Sequence, residues 1–195
     1  MTNFKFYYNK NNISLDIILP GGNGGIDSVF ITKISELSFK KGHSAIAINH
    51  PFYERGEKQT SSRNFKEEIT NMLEILEYCH YKDYKNIRFI GKSLGGVISA
   101  YYLSSLENNE MNKYSITVLG YVLGSINLNN FLGDITIIQG ELDRFGNIKQ
   151  VKEDMQNSKS DNITYYEIKG AGHSYENLKT QESEFQDEAI SKIKF

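Results

Sequence analysis

The sequence has little that would direct the chain to secretion or to a membrane. Cys79 is its one cysteine among 195 residues, so no internal disulfide can form, and this composition fits a reducing compartment. No apolar run approaches the roughly 18 residues of a membrane span, and the segment from Met1 to Phe6 contains no signal-peptide core. The sequence therefore predicts a cytoplasmic protein with no membrane partner.

An excess of charge of one sign is also missing. The 22 basic residues are scattered among 24 acidic ones, which leaves a net charge of -2. A nucleic-acid groove needs clustered lysines and arginines, so we expect no nucleic-acid partner. The 4 histidines show no metal-ligand spacing such as H-E-x-x-H. We therefore expect no metal and no cofactor.

Short apolar runs alternate with longer amphipathic ones, without a repeat or a linker, so residues 1–195 should form one domain. This alternation favours an α/β fold, with a mostly parallel sheet and helices on both faces. About seven strands are predicted, at 4–8, 13–19, 44–49, 87–90, 116–123, 135–139 and 163–168. Helices are expected near 26–41, 64–76, 94–106, 148–157 and 180–194.

Two local patterns make sharper predictions about these elements. The first two strands flank the turn residues Asn9 to Asn12, so they should pair as an antiparallel hairpin at the edge of the sheet. Asn64 is followed three residues later by Glu67, which resembles a capping box at the start of a helix.

Residues 91–95, Gly-Lys-Ser-Leu-Gly, match the pattern G-x-S-x-G between a predicted strand and an apolar helix. A sharp strand-to-helix turn crowds the backbone of its serine, and flanking glycines leave the space that the turn needs. The turn would lift the hydroxyl above the sheet edge, beside a helix N-terminus that favours negative charge. Ser93 is therefore the candidate nucleophile, and the alternative is a glycine-rich turn with an incidental serine.

A serine hydroxyl is a poor nucleophile unless a base removes its proton, and His173 is the candidate base. It comes just after the predicted strand 163–168, at the sheet edge where catalytic groups gather. His43 precedes a strand and should lie at the opposite edge, and His80 lies in a polar segment after a helix. His50 ends a strand and could reach the site, although it precedes the serine in the chain.

The base in turn needs a carboxylate that orients it and stabilises its charged form. Asp143 comes just after the predicted strand 135–139 and is the candidate acid. Glu141 lies two residues closer to that strand and is the second choice. Asp134 and Asp161 precede strands, so they should face the other edge of the sheet.

A tetrahedral intermediate also needs hydrogen-bond donors for its oxyanion. One candidate is the backbone amide of Leu94, directly after the nucleophile. The other is the amide of Gly22, with Asn23 as the neighbouring alternative, in the glycine-rich loop 20–25. That loop does not end in the Gly-Lys-Ser or Gly-Lys-Thr of a phosphate-binding loop.

These residues resemble those of the α/β-hydrolases over nearly the whole chain, since serine, acid and histidine follow one another in that family's order. The chain is most similar to the small dienelactone-hydrolase-like group. Residues 91–96 resemble that group's nucleophile elbow, 139–146 its acid loop and 172–175 its histidine loop. The resemblance implies an α/β-hydrolase fold, a triad of Ser93, Asp143 and His173, and esterase-like activity on a small-molecule ester or thioester.

The chain also departs from that group. Pro20 stands where a histidine commonly precedes the oxyanion glycine, and the first strand of the family is missing. Dienelactone hydrolases use a cysteine nucleophile, so lactone hydrolysis is not carried over. Only residues 124–134 separate the strands between which a lid domain is usually inserted, so we expect an open site without a lid.

Several questions of function stay open at this point. The same triad could serve an amidase or peptidase, and a protein with this fold could instead be a non-catalytic binding protein. Lys92, Arg55 and Arg144 could favour an anionic acyl or leaving group, or could simply form surface ion pairs.

Overall fold

The computed structural model describes all 195 residues and contains one seven-stranded sheet. In chain order the strands are β1 (Phe4–Tyr7), β2 (Ser14–Leu19), β3 (Ser44–Ile48), β4 (Asn86–Lys92), β5 (Tyr114–Leu119), β6 (Asp134–Gly140) and β7 (Ile163–Ile168). Their order across the sheet is β1-β3-β2-β4-β5-β6-β7. All neighbouring strands are parallel except β1, which is antiparallel to β3. The predicted sheet type and number of strands are confirmed.

The antiparallel edge is present, but the predicted hairpin between the first two strands is wrong. β1 pairs with β3, with Phe4 opposite Ile48, and β3 separates β1 from β2. Every residue of β3 is buried, whereas those of β1 are only partly buried, so the apolar β3 takes the inner position. The residues between β1 and β2 hold the start of β3 instead of forming a hairpin turn. The side chains of Asn9 and Asn12 both donate to the carbonyl of Gly42, just before β3.

Six helices surround the sheet: α1 (Val29–Lys40), α2 (Pro51–Glu54), α3 (Lys66–Tyr78), α4 (Leu94–Leu103), α5 (Ile148–Asp154) and α6 (Gln186–Ser191). None of them combines the length and the apolar content that a membrane crossing requires. The predicted capping box at Asn64 is wrong, because that residue has a left-handed φ of 56°. The hydroxyl of Ser62 accepts from the Glu67 amide in its place.

The sheet separates two apolar clusters, as the alternation of side chains along a strand requires. Ile17 of β2 belongs to the cluster that includes α3 and α4, and Ile18 belongs to the one that includes α1 and α6. Both side chains are fully buried. Because apolar packing occupies the two faces of the sheet, polar groups with a chemical role must gather at the strand ends.

No lid domain is present, which confirms the prediction. Residues 120–133, between β5 and β6, contain neither a helix nor a strand. Leu128 and Phe131 of this segment are fully buried in the larger apolar cluster. The segment therefore packs onto the core and leaves the carboxyl edge of the sheet open.

Candidate active site

The candidate nucleophile lies on a sharp turn between β4 and α4. Ser93 has φ 49° and ψ -113°, a backbone conformation that costs a residue with a side chain roughly 1–3 kcal/mol. The flanking glycines make the turn possible. A Cβ atom at Gly91 would overlap the backbone of Gly96, and one at Gly95 would overlap the carbonyl of Leu19. The turn therefore needs both glycines of the G-x-S-x-G pattern.

The structure brings the three side chains predicted for a triad into one hydrogen-bonded chain. Nε2 of His173 lies 2.8 Å from Oγ of Ser93, and Nδ1 of the same ring lies 2.8 Å from Oδ2 of Asp143. Phe145 packs edge-on against the imidazole, with 4.6 Å between the ring centroids. The imidazole therefore has one nitrogen toward the hydroxyl and the other toward the carboxylate.

Asp143, rather than the second choice Glu141, faces the imidazole. Its Oδ1 accepts from the Phe145 amide at 2.8 Å, and its Oδ2 accepts from the side-chain amide of Gln139 at 3.0 Å. Glu141 instead accepts from the Gly170 amide, and this hydrogen bond holds the pKa of its carboxyl below the ordinary value. Gln139 is a supporting residue that the sequence motifs do not predict, although an amide side chain near the end of an apolar strand is a usable signal.

The loop between β2 and α1 lies directly beside the nucleophile. A Cβ atom at Gly21 would come within 3.7 Å of Ser93, and one at Gly22 within 3.5 Å of Leu94. The amides of Gly22 and Asn23 donate no hydrogen bond within the protein. Leu94 is the first residue of α4, so its amide has no acceptor inside the helix. The predicted oxyanion donors are thus close to the serine, with N–H groups that are not engaged elsewhere.

His50, the alternative base, supports this loop instead. Its Nε2 lies 2.8 Å from the Pro20 carbonyl, to which it donates. Burial lowers the pKa of His50 to about 4, so the ring is neutral at neutral pH. The neighbouring Asn49 accepts from the Ile26 amide at 2.8 Å. The end of β3 therefore fixes both ends of the loop that carries Gly22.

Lys92 connects the elbow to the histidine loop. Its ammonium group donates to the backbone carbonyl of His173 at 2.9 Å and lies over the ring of Tyr175. Gly120 leaves room for this contact, since a Cβ atom there would lie 2.9 Å from Nζ of Lys92. Burial lowers the pKa of Lys92 to about 8. Lys92 is therefore a buried support of the site rather than a surface ion-pair partner.

The other two histidines lie away from the site. Nδ1 of His43 is 3.1 Å from Oδ2 of the buried Asp16, which also pairs with Arg88 at 2.8 Å. This cluster lies at the amino ends of β2 and β3, the edge of the sheet opposite the nucleophile. His80 is exposed in the turn after α3.

Ser93 opens into a cleft with a volume of about 380 Å³. Its walls come from the β2–α1 loop, the elbow, the residues after Asp143 and the start of the histidine loop. Lys92 and Arg144 are its charged lining residues, and no carboxylate lines it. A small polar substrate could therefore reach the hydroxyl directly from solvent.

A mostly parallel sheet, with a serine at a strand-to-helix elbow and an acid and a histidine after later strands, defines a protein of the α/β-hydrolase class. The chain belongs to the α/β-hydrolase family, because a family model described as an alpha/beta hydrolase domain matches residues 15–194. A search of curated proteins finds no match. Membership of the dienelactone-hydrolase-like group stays a prediction.

Solved structures with the same fold have low sequence identity to this chain. One is an alpha-beta serine hydrolase homologue from Coxiella burnetii, with a TM-score of 0.71, 17% identity, and coverage of 98% of this chain and 91% of that chain. Another is Est1E from Butyrivibrio proteoclasticus with ferulic acid bound, with a TM-score of 0.68 and 17% identity. This match covers 97% of this chain and 96% of that chain. A third is the Pyrococcus furiosus esterase Pf2001, with a TM-score of 0.68 and 15% identity. This match covers 93% of this chain and 82% of that chain. These likenesses concern the fold.

Proposed function

We propose that this protein is a serine hydrolase that cleaves a carboxylic ester or thioester of a small molecule through an acyl-enzyme on Ser93. The observation that carries the proposal is the hydrogen-bonded chain from Ser93 through His173 to Asp143. A hydroxyl aligned with a base, which is itself oriented by a carboxylate, is the arrangement that acyl transfer to serine requires. Est1E, which shares the fold, was solved with ferulic acid bound, and a carboxylic acid is a product of ester hydrolysis.

In the acylation step, Oγ of Ser93 attacks the carbonyl carbon while Nε2 of His173 takes the hydroxyl proton. Asp143 stays ionised and stabilises the imidazolium that forms. The carbonyl oxygen becomes an oxyanion, which the amides of Leu94 and Gly22 stabilise. When the tetrahedral intermediate collapses, the bond to the leaving group breaks and the imidazolium gives its proton to the leaving oxygen or sulfur.

Deacylation repeats these steps with water in place of the serine. His173 removes a proton from a water molecule, and the resulting hydroxide adds to the acyl carbon. Collapse of the second intermediate breaks the bond to Oγ, and the imidazolium returns the proton to Ser93. The open cleft gives water direct access to the acyl-enzyme.

A fluorophosphonate probe tests this proposal, because it reacts with a serine that has both an activating base and an oxyanion site. We expect the purified protein to be labelled at Ser93, as mapped by mass spectrometry. Ser93→Ala should abolish labelling, and His173→Ala should remove nearly all of it. The same proteins are assayed with a panel of p-nitrophenyl esters, the matching p-nitroanilides and acyl-CoA thioesters.

Ser174→Ala is the matched control, because Ser174 is an exposed serine in the same cleft. This variant should be labelled like the wild type. Well-folded wild-type protein that stays unlabelled and hydrolyses no ester in the panel would contradict the proposal. A non-catalytic binding protein would then be the better description. Cleavage of amides in preference to esters would favour an amidase or peptidase.

A further inference from the structure

The charged side chains that line the cleft are all basic. Lys92 and Arg144 line it, and no aspartate or glutamate does. The ammonium group of Lys92 is buried and donates to a backbone carbonyl, so it is already engaged within the protein. Among the arginines, Arg55 and Arg88 form ion pairs with carboxylates, whereas Arg144 forms none. Arg144 is therefore the cation of the cleft that is free to meet a ligand.

Arg144 is connected to the proposed base through one aromatic side chain. Its guanidinium stacks over the ring of Phe145, with 4.9 Å to the centroid, and that ring packs against the imidazole of His173 at 4.6 Å. Because His173 must give its proton to the leaving atom, the leaving group has to lie next to the imidazole. One aromatic ring thus separates the guanidinium from the base.

We propose that the cleft selects esters or thioesters whose leaving group carries a carboxylate or a phosphate, and that Arg144 recognises this anion. The inference rests on the hydrolase function proposed above and names its substrate class. A guanidinium presents planar, paired N–H donors that match the geometry of both anions. Stacking on Phe145 limits its orientations, so less entropy is lost when it binds.

Two matched pairs of esters test the inference. The acetyl ester of 4-hydroxybenzoate has an anionic leaving group, and the acetyl ester of methyl 4-hydroxybenzoate is its neutral counterpart. The mono-4-nitrophenyl ester of adipic acid carries the anion on the acyl side, and 4-nitrophenyl hexanoate is its neutral counterpart. The readout is the ratio of kcat/KM for the anionic ester to kcat/KM for the neutral ester within each pair.

We expect the wild-type ratio for the leaving-group pair to exceed the ratio of the uncatalysed hydrolysis rates of the same two esters. Arg144→Gln should lower that ratio by about three- to five-fold, the size of one exposed charge interaction. The ratio should also fall for the wild type as NaCl is raised, because salt screens exposed charges, and should respond less in Arg144→Gln. Arg63→Gln is the matched control, since it removes an exposed arginine outside the cleft, and it should keep the wild-type ratio.

Each other outcome overturns the inference in a different way. An unchanged ratio in Arg144→Gln would show that Arg144 has no role, and so would a wild-type ratio no higher than the ratio of the uncatalysed hydrolysis rates of the two esters. A preference confined to the adipate pair would mean that the anion is recognised on the acyl side. If the folded wild type is labelled by the fluorophosphonate probe but hydrolyses none of the four esters, the substrate class alone fails. If it is also unlabelled and inactive on the wider ester panel, the hydrolase function fails with it.

Discussion

Lys92 is a buried ammonium group directly before the proposed nucleophile, and its protonation lowers the stability of the folded protein. Burial lowers its pKa from an ordinary value of 10.5 to about 8. The unfolded chain therefore binds this proton more tightly than the folded chain does. The resulting penalty on stability is fully present below about pH 8, and it disappears as the pH rises through 10.5.

Replacing Lys92 by methionine should remove this pH dependence. We expect the free energy of unfolding of the wild type, minus that of Lys92→Met, to increase between about pH 7 and about pH 10, by at most about 3 kcal/mol. Urea denaturation at the two pH values measures it, and titrations shared by both proteins cancel in the difference. The exposed Lys85 offers a control, because Lys85→Met should show no such increase. A pH-independent difference for Lys92→Met would contradict the expectation.

At this scale, the sequence allows some positions to be predicted and not others. Ser93, Asp143 and His173 each follow a strand, and the carboxyl ends of parallel strands share one edge. Their proximity could therefore be predicted without coordinates. The contacts of Lys92 and His50 could not, because each depends on which backbone carbonyl lies opposite the side chain in the folded chain.

At the scale of elements, the elbow and the end of β2 are packed so closely that only glycine fits between them. A Cβ atom at Gly95 would overlap the carbonyls of Leu19 and Pro20, whereas one at Gly24 has no heavy atom within 4 Å. Backbone carbonyls cannot rotate away, so the strand or the helix would have to shift.

We expect Gly95→Ala to lower the free energy of unfolding by about 1–3 kcal/mol, the usual cost of overpacking. The matched substitution Gly24→Ala, in the adjoining loop, should change it by less than about 0.5 kcal/mol. Chemical denaturation of the three proteins gives the comparison. Equal stability of the two variants would mean that the elbow can relax, and the close packing would not explain the second glycine of the motif.

The presence of each strand and helix could be predicted from the sequence better than which strands pair and where each helix begins and ends. Burial explains why β1 reaches β3, but alternation along a strand says nothing about which strand lies beside it. The helix predicted over 180–194 is confined to α6, Gln186–Ser191. Before it, the side chains of Asn177 and Thr180 accept from the amides of Lys179 and Glu182. Such local hydrogen bonds compete with a helix.

At the scale of the whole molecule, the fold class followed from the alternation of strands and helices, because parallel strands need crossovers that cover both faces. The absence of a lid followed from chain length alone, since so few residues lie between β5 and β6. The shape and charge of the cleft did not follow from the sequence. They depend on how four separate loops meet at the carboxyl edge.

The short connection between β5 and β6 also has a consequence for the rate at which the protein would hydrolyse a water-insoluble ester. Where a mobile segment covers the site, turnover waits for that segment to open, and an oil–water interface can promote the opening. Here Leu128 and Phe131 hold the segment 120–133 against the core, and none of its residues lines the cleft, so nothing needs to move aside before an ester reaches Ser93.

We therefore expect no interfacial activation. With a short-chain triglyceride, the initial rate should follow simple saturation and should not rise when the concentration passes the solubility limit and droplets form. Titration of the released acid at constant pH gives these rates on both sides of that limit. A sharp increase at the onset of emulsion would contradict the expectation. A hydrolase built in this way would work on single dissolved molecules, and the surface of a droplet would offer it no advantage.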